Sequence, residues 1–378
     1  MLTDEQKLIQ DTARGFAQER IAPQAEAWER AGRFPPEILK ELGELGFLGM
    51  TVDPAWGGAG ADYVSYALAL MEIAAGDGAL STVMSVQNAP VCAMLSVYGN
   101  PAQKERWLRP LAGGEIIGAF ALTEPEAGSD AASLRTRAVH RGDRWVIDGA
   151  KQFISSGSIA KVTIVFAVTD PNAGKRGISA FIVPTDAAGY VVSRIEEKMG
   201  QKASDTCALA FTGLEVPAES LLGQEGQGLK IALSSLEQGR IGIAAQSVGM
   251  ARAAFDYAVA YAHERRQFGR PIVEHQAVAF RLAELGTRLE AARQLVLHAA
   301  RLRDAGEPCL KEACMAKLFA SETAEAVCSG ALQTLGGYGY LRDYPIERIY
   351  RDVRVCQIYE GTSDVQKLII ARHLGAAA

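Results

Sequence analysis

The sequence contains no grouping of cysteine or histidine that would mark a metal centre or a redox pair. Its six cysteines form no C-x-x-C pair, and its five histidines are scattered along the chain. Neither a zinc site nor a Cys–His nucleophile pair is indicated, and we expect no metal. The cysteines are predicted to be small buried hydrophobic residues of a reducing compartment, at Cys92, Cys207, Cys309, Cys314, Cys328 and Cys356.

An excess of positive charge is also lacking. Lys and Arg total 39 against 44 Asp and Glu, a net charge of −5, whereas nucleic-acid binders are usually basic. No apolar run approaches the length of a bilayer span, so no membrane insertion is expected. The first residues, Met1–Glu5, have neither the pattern of a signal peptide nor the arginines of a transit peptide. The resulting expectation is a cytoplasmic protein that does not bind nucleic acid.

The common nucleotide-binding motifs are absent as well. No G-x-G-x-x-G opens a βαβ unit, and there is no Walker A sequence. The run Gly57–Gly60 is interpreted as a flexible connector, because no Lys-Ser/Thr pair follows it. A Rossmann-type site is therefore not predicted, and a flavin would have to be held in another way.

The chain does have enough apolar residues for large cores. Its 378 residues are 48% hydrophobic, which predicts a soluble globular protein of two or three domains. The first 115 residues have helical patterns. Thr3–Gln6 is a capping box, and both Tyr63–Ala75 and Leu80–Tyr98 have the composition of buried helices.

The later parts of the chain differ in pattern. A hairpin signal surrounds Gly142-Asp143 and several short β-rich runs follow, which predicts a small antiparallel barrel or sandwich. Four Ala-, Leu- and Arg-rich segments then predict an antiparallel four-helix bundle, at 228–267, 272–304, 308–335 and 345–373. The predicted class is α+β, with domains at 1–115, 116–222 and 223–378.

Glu360 is the residue that we expect to carry the chemistry. It lies in the run Gln357–Ser363, where apolar neighbours would leave its carboxylate poorly solvated and raise its pKa. A positioned carboxylate with a raised pKa can act as a general base near neutral pH. Ser363–Gln366 is interpreted as a capping box that opens a helix over 364–374. The local alternative is a glutamate whose hydrogen bonds are satisfied in a helix–helix turn.

Four ordered segments resemble one known family. They are Ala121–Asp130, His263–Arg270, Gln333–Gly339 and Ile358–Ser363, and their order and spacing are similar to those of the acyl-CoA dehydrogenases. The resemblance covers essentially the whole chain. It implies a helical N-terminal domain, a middle antiparallel β-barrel and a C-terminal four-helix bundle.

The resemblance implies FAD as the cofactor. In the first segment Phe120, Leu122 and Thr123 would line the isoalloxazine ring, and Ser129 would contact the cofactor or the thioester arm. The local alternative for 123–125 is a turn at the barrel edge. Phe153 and Ser155 stand where the family often has Trp and Thr. The remaining FAD contacts implied are Arg265, Gln267, Phe268, Ile272, Gln276, Gln333, Gly336, Gly337, Thr362 and Asp364.

Two of these stretches, around Arg265 and around Gln333, reach a neighbouring subunit's FAD in the family. The resemblance therefore implies a homo-oligomer, a tetramer built as a dimer of dimers. Arg265 alone could equally be a solvated arginine on a bundle face.

The resemblance also implies the reaction. Glu360 would remove the α-proton of an acyl-CoA thioester while the β-hydrogen leaves as hydride to flavin N5, giving a trans-2-enoyl-CoA. Some family branches place the base at the position of Gly239, which has no side chain here. Tyr359 and Gly361 would contact the substrate. Glu237 and Arg240 would contact it too, with structural salt bridges as an equal alternative.

The closest resemblance is to short-chain and short-branched-chain members of the butyryl-CoA dehydrogenase type. It rests on Arg240–Ala244 and on Met84–Asn88, and it implies an acyl pocket floor on the helix at 80–95. Such enzymes serve β-oxidation or branched-chain amino-acid catabolism and pass electrons to an electron-transferring flavoprotein.

Three alternatives remain open at this point. A related oxidase would pass electrons to oxygen, although such oxidases tend to have an additional C-terminal domain. A nitroalkane-oxidase-like enzyme usually has Asp as the base, which Glu360 contradicts. A non-catalytic binding or DNA-associated protein is disfavoured by Glu360 and by the absence of a basic domain.

Overall fold

The computed structural model describes residues 2–375, and the predicted order of helices, sheet and helices is confirmed. The helices are α1 (Asp4–Phe16), α2 (Ala25–Ala31), α3 (Pro36–Glu44), α4 (Tyr63–Gly76), α5 (Gly78–Val86), α6 (Ala93–Tyr98), α7 (Pro101–Gln103), α8 (Arg109–Ala112), α9 (Gly228–Glu264), α10 (Gln276–Asp304), α11 (Leu310–Leu335), α12 (Ile346–Val353) and α13 (Ser363–His373). The strands are β1 (Gly118–Ala121), β2 (Arg137–Arg141), β3 (Arg144–Ser155), β4 (Val162–Val168), β5 (Ile178–Pro184), β6 (Tyr190–Ile195), β7 (Thr206–Pro217), β8 (Leu221–Leu222), β9 (Arg266–Gln267) and β10 (Arg270–Pro271).

The N-terminal helices begin as the sequence predicts. Thr3 and Gln6 form the expected capping box of α1. The predicted single helix over Leu80–Tyr98 is wrong in one respect, because Ala89 has extended backbone angles and Pro90 follows it. Proline cannot continue the hydrogen-bond ladder. The run is therefore divided into α5, a π-helical turn and α6.

The middle region is one eight-stranded sheet, in the order β6–β7–β3–β2–β4–β5–β8 with β1 beside β4. The hairpin predicted at Gly142-Asp143 joins β2 to β3. The expectation of an antiparallel barrel needs correction in two respects. β1 and β2 both pair with β4 in parallel, because crossover connections separate them from it along the chain. No pairing joins the edge strands β6 and β8 within residues 2–375, so the sheet is not closed by hydrogen bonds.

The C-terminal region is built on three long helices, α9, α10 and α11, which pack against one another, and α9 and α10 also pack against α4. The fourth predicted segment, 345–373, contains two helices, and the second begins at Ser363, within one residue of the predicted start at 364. A 3₁₀ turn at Arg354–Gln357 and an irregular loop separate α12 from α13, and Glu360 lies in that loop. The predicted helix over 228–267 ends at Glu264, where the small hairpin β9–β10 begins.

Burial follows the predicted pattern. All six cysteines are buried and free. The expectation that no apolar run approaches the length of a bilayer span needs correction, because among the described residues one helical run, Gly78–Tyr98, is long and apolar enough by length and composition. However, 89% of its most apolar window is buried inside the protein, as in a core helix.

Candidate active site

Glu360 lies on a strained loop and points its carboxylate into the protein. Its φ is +51°, which is uncommon for a residue other than glycine and is found preferentially at functional sites. Oε2 is buried, although the residue as a whole is partly exposed, and it has no hydrogen-bond partner within residues 2–375. The alternative of a glutamate with satisfied hydrogen bonds therefore does not describe this carboxylate.

The carboxylate lies directly over Gly239 of α9. A Cβ placed on Gly239 would be 2.0 Å from Oε2 and 2.8 Å from Cδ of Glu360. Glycine is thus required here by close approach. A side chain at 239 and the Glu360 carboxylate would compete for the same space.

Burial determines the proton affinity of this group. It raises the pKa of Glu360 to about 7, while the charges of Lys317 and Arg240 lower it to a smaller extent. Arg240 is 5% exposed, and its Nε has no partner among the described residues. The result is a carboxyl group that gains and loses a proton near neutral pH beside two cations.

Lys317 and Gln366, neither of which was predicted as a site residue, hold the loop. Lys317 is fully buried on α11 and donates to the Gly361 carbonyl at 2.7 Å. Gln366 donates to the same carbonyl at 3.0 Å and to the Glu360 carbonyl at 3.2 Å. Burial lowers the pKa of Lys317 to about 8. Because Lys317 comes from a different helix, no local pattern around Glu360 could have identified it.

The start of α13 differs from the prediction by one residue. The Thr362 hydroxyl, and not that of Ser363, caps the helix by accepting from Val365 N at 3.3 Å. Asp364 is exposed in the first turn. The Tyr359 hydroxyl donates into the core to Gln246, so its polar atom is already paired.

For Glu237 the salt-bridge alternative is present in the structure. Its carboxylate is 3.7 Å from Arg303, and it also accepts from the Cys309 thiol at 3.5 Å. Arg240, in contrast, has no carboxylate within 4.0 Å in the described part of the chain, which leaves its charge available near Glu360.

The segment predicted to line the flavin ring, within Ala121–Asp130, is held in place by a buried ion pair. Lys151 Nζ contacts Glu124 at 2.8 Å and donates to the Leu122 carbonyl at 3.1 Å. The Thr123 carbonyl accepts from Gln152 N at 2.9 Å. A segment fixed in this way can present backbone and hydroxyl groups to a ligand without rearrangement. The Glu124–Lys151 pair was not predicted from the sequence.

The other residues predicted to contact the flavin ring have different surroundings. Phe120 packs its ring on Phe166 at 5.3 Å, and Ser129 is exposed. Phe153 has a φ of +60° and is 64% exposed, next to a register shift between β3 and β7. Ser155 lies on the same strand and pairs with Thr206.

A cavity of about 850 Å³ brings together most of the remaining predicted residues. It lies between the β9–β10 hairpin and the end of α11. Seven predicted residues line it: Arg265, Gln267, Phe268, Ile272, Gln333, Gly336 and Gly337. Gln276 begins α10 next to it. Tyr261, His275, Arg281 and Tyr338 also line it and were not predicted.

The cavity has groups suited to an aromatic, phosphate-bearing ligand. The Arg265 guanidinium is 5.4 Å from the Tyr338 ring centre and is exposed. The backbone at Gly336 has a φ of +60°, and a Cβ at Gly336 or Gly337 would meet nothing within 4 Å. A ligand can therefore approach the backbone closely, and the arginine fork suits a phosphate. These features fit the adenosine-diphosphate part of FAD.

All three parts of the chain match models of one family. The matches are to the acyl-CoA dehydrogenase N-terminal domain over residues 3–115, the middle domain over 119–214 and the C-terminal domain over 226–375.

Among curated proteins, an acyl-CoA dehydrogenase of Bacillus subtilis is 47% identical over 99% of this chain and 98% of its own length. The short-chain specific acyl-CoA dehydrogenase of Rattus norvegicus mitochondria is 43% identical over 99% of this chain and 90% of its own length.

Solved structures agree. The butyryl-CoA dehydrogenase of Megasphaera elsdenii has a TM-score of 0.97 at 40% identity, covering 100% of this chain and 99% of that one. A chain in the structure of the electron transferring flavoprotein of Acidaminococcus fermentans has a TM-score of 0.98 at 43% identity, covering 99% and 98%. The protein therefore belongs to the acyl-CoA dehydrogenase family and is an FAD-dependent oxidoreductase.

Proposed function

We propose that the protein dehydrogenates a short-chain or short-branched acyl-CoA to the trans-2-enoyl-CoA, with Glu360 as the general base. The observation that carries the proposal is the buried Glu360 carboxylate, unpaired at Oε2 and held over Gly239. Its pKa of about 7 suits a base that must be ionised before the reaction and accept a proton during it.

The chain's own residues have distinct tasks in this proposal. Glu360 Oε2 takes the α-proton, and the backbone N–H of Glu360 polarises the thioester carbonyl. Lys317 and Arg240 keep a sufficient fraction of the carboxyl group ionised near neutral pH. Tyr359 and Gly361 border the thioester. FAD, when bound, supplies the acceptor for the β-hydrogen as hydride.

The FAD would be held by two copies of the chain. Arg265 follows Gly239 by 26 residues, which at 1.5 Å per helical residue is roughly 39 Å along α9. The sheet packs on the first turns of α9, near Gly228 and Ser179, and therefore nearer to Glu360 than to the cavity. The residues predicted for the flavin ring and those predicted for the nucleotide therefore lie towards opposite ends of α9, which supports a homo-oligomer, a tetramer by family resemblance.

In this arrangement the flavin ring would be held by one subunit and the nucleotide by the bundle of its neighbour. The first set is Phe120, Leu122, Thr123, Ser129, Phe153 and Ser155 of the sheet region, with Thr362 and Asp364 at the start of α13. The second set is Arg265, Gln267, Phe268, Ile272, Gln276, Gln333, Gly336 and Gly337.

Substrate length and electron acceptor are proposed from the relatives. The rat enzyme is named as short-chain specific and the Megasphaera enzyme as a butyryl-CoA dehydrogenase, which favours a four- or five-carbon acyl group. The Acidaminococcus structure favours an electron-transferring flavoprotein as the partner. We also propose a cytoplasmic location.

The test is the Glu360→Gln variant of the holoenzyme, mixed anaerobically with butyryl-CoA. The amide is nearly isosteric but cannot accept the proton, so flavin bleaching should slow by roughly 10²–10⁴-fold while FAD remains bound. Glu284→Gln makes the same change at a glutamate that is 71% exposed on α10 and should bleach normally. Bleaching of Glu360→Gln at the wild-type rate would remove Glu360 from the reaction.

A second measurement separates the dehydrogenase from an oxidase. Turnover with butyryl-CoA is compared in air without a partner and anaerobically with the flavoprotein. We expect slow hydrogen peroxide production and rapid flavoprotein reduction, because bound product would shield the reduced ring from oxygen. Equal rates would assign the protein to the oxidases.

A further inference from the structure

Four side chains form a ring of hydrogen bonds beside the loop of Glu360. The Thr82 hydroxyl donates to Gln201 Oε1 at 2.6 Å and accepts from Gln246 Nε2 at 2.7 Å. Gln246 Oε1 accepts from the Tyr359 hydroxyl. The ring closes where Gln201 Nε2 donates to the Tyr359 oxygen at 3.5 Å, which is its longest contact. Because Tyr359 directly precedes Glu360, the ring is connected to the proposed base by one peptide bond.

The members of this ring come from separate parts of the fold. Thr82 lies on α5, Gln201 lies between β6 and β7, and Gln246 lies on α9. None of these three residues is more than 4% exposed. The ring therefore joins the N-terminal helices, the sheet region and the C-terminal bundle at the residue before Glu360.

Gln246 fixes the direction of the hydrogen bond at Tyr359. The Gly78 carbonyl lies 2.9 Å from Gln246 Nε2, and the Ser81 hydroxyl lies 2.8 Å from it. Because a carbonyl oxygen can only accept, the amide nitrogen must lie on this side and Oε1 must face Tyr359. Burial raises the pKa of the Tyr359 phenol well above its ordinary range, so the phenol keeps the proton that it donates at physiological pH.

Two residues with unusual backbone angles meet at the ring. Glu360 has a φ of +51° and Gln201 has a φ of +49°, and they are two of the five non-glycine residues with positive φ within residues 2–375. Such conformations persist only where the surrounding structure holds them. The Gln201 backbone N donates to the Asp352 carboxylate, and its Nε2 donates to the Asp352 carbonyl at 3.1 Å. Gln201 is thus fixed to α12 independently of Tyr359.

The loop of Glu360 is consequently held on both sides. On the C-terminal side, Lys317 and Gln366 donate to backbone carbonyls of residues 360 and 361. On the N-terminal side, the ring holds the hydroxyl of Tyr359. If one side were released, the backbone at Glu360 could relax and its carboxylate could leave the space over Gly239.

We propose that Gln246 and Gln201 are positioning residues for the dehydrogenation, which hold the Glu360 carboxylate over Gly239 by fixing the Tyr359 hydroxyl. In this role they act on the base through Tyr359 and contact no reacting atom. The inference rests on the proposed function, because it takes Glu360 as the base.

The first test removes the hydroxyl on which the ring acts. Tyr359→Phe keeps the aromatic ring of this residue and breaks both of its hydrogen bonds in the ring. Flavin bleaching of the holoenzyme by saturating butyryl-CoA should slow by about 10-fold. This is less than the roughly 10²-fold cost of a 1 Å displacement, because Lys317 and Gln366 still hold the other side of the loop. Gln246→Met, which removes the amide, should slow bleaching by a similar factor.

A double-mutant cycle asks whether Gln246 acts through Tyr359. If it does, the Gln246→Met/Tyr359→Phe enzyme should be no slower than the slower single variant. Independent effects would multiply to about 100-fold, which would overturn the proposal. Gln103→Met is the matched control, because Gln103 is 8% exposed and its side chain hydrogen-bonds to Asn100, Glu219 and Leu221 instead. It should lower Tm and leave bleaching unchanged.

The pH profile separates positioning from a contact with the acyl chain. Burial is the largest influence on the pKa of Glu360, so a released carboxylate should be better hydrated and have a lower pKa. The fall of kcat/KM with decreasing pH should therefore lie at lower pH in Tyr359→Phe. The groups that face Glu360 are Lys317 on α11, Arg240 on α9 and the phenol of Tyr66 on α4, and all three remain in this variant. A raised KM with an unmoved profile would overturn the proposal.

A measurement without substrate separates this inference from the proposed function. The raised pKa of Glu360 lowers the stability of the folded protein as pH rises through about 7. If release lowers that pKa, Tyr359→Phe should lose less Tm than wild type between pH 5 and pH 8. Equal losses, with normal bleaching of both enzymes, would overturn the ring's role alone. A smaller loss in the variant, with no bleaching of wild type by butyryl-CoA, would support the holding of Glu360 and remove the proposed function.

Discussion

Replacing Gly239 by alanine tests the position of the base without touching the base itself. The new Cβ would be 2.0 Å from Glu360 Oε2, whereas ordinary contact begins at 3.4 Å, so the carboxylate must retreat by about 1.4 Å. A misplacement of about 1 Å in a reacting group can cost roughly 10²-fold in rate. We therefore expect the rate of flavin bleaching by butyryl-CoA to fall about 100-fold.

Stability should change in the opposite direction. Gly239 is inside α9, where alanine is favoured over glycine by roughly 0.5–1 kcal/mol of helix propensity. The carboxylate is the far end of a flexible side chain, so the clash is relieved by moving Glu360 rather than by unfolding. We therefore expect Gly239→Ala to fold and to retain FAD, and its flavin to bleach slowly.

The assay is anaerobic stopped-flow bleaching of the flavin with saturating butyryl-CoA. Gly15→Ala is the control, because this change is also within a helix but its Cβ would meet nothing within 4 Å. A bleaching rate within threefold of wild type would show that the carboxylate over Gly239 is not the working base. Gly239→Glu in a Glu360→Gly background should partly restore the rate lost in Glu360→Gly, since it returns a carboxylate to the same space.

Three further predictions concern charge and assembly. The kcat/KM of wild type should fall as pH drops through about 7, where Glu360 gains its proton. Lys317→Met should move this fall to higher pH, because Lys317 lowers the pKa of Glu360, and an unmoved pH profile would contradict this electrostatic role. Because its pKa is raised, Glu360 binds a proton in the folded protein between about pH 4.5 and 7 that it does not bind in the unfolded chain, so the free energy of unfolding falls as pH rises through that window. Glu360→Gln should therefore have a higher Tm than wild type at pH 8 and nearly the same Tm at pH 5. Arg265→Ala should lose FAD and weaken the subunit contact, measured as flavin per chain and mass after gel filtration, and full occupancy would favour a solvated arginine.

Local sequence was sufficient where a structure depends on neighbours along the chain. The capping box of Thr3, the hairpin at Gly142-Asp143 and the three-part helix–sheet–helix order are all present as predicted. The family likewise follows from four short segments. The predicted site residues stay predictions, although the structure places seven of them around one cavity.

The sequence misled where two signals competed. The apolar run Leu80–Tyr98 has a helical composition, but Pro90 interrupts it. At that place one backbone constraint outweighs a favourable average over the segment.

Tertiary structure alone decided the environment of Glu360. The sequence was sufficient to select Glu360 as a candidate base, from its apolar neighbours and the glycine that follows it. Its pKa, the contact of Lys317 with its loop and the glycine beneath it depend on helices far apart in the chain. Burial and hydrogen-bond pairing are properties of a packed interior, and one residue's neighbours in sequence do not determine which distant side chains surround it.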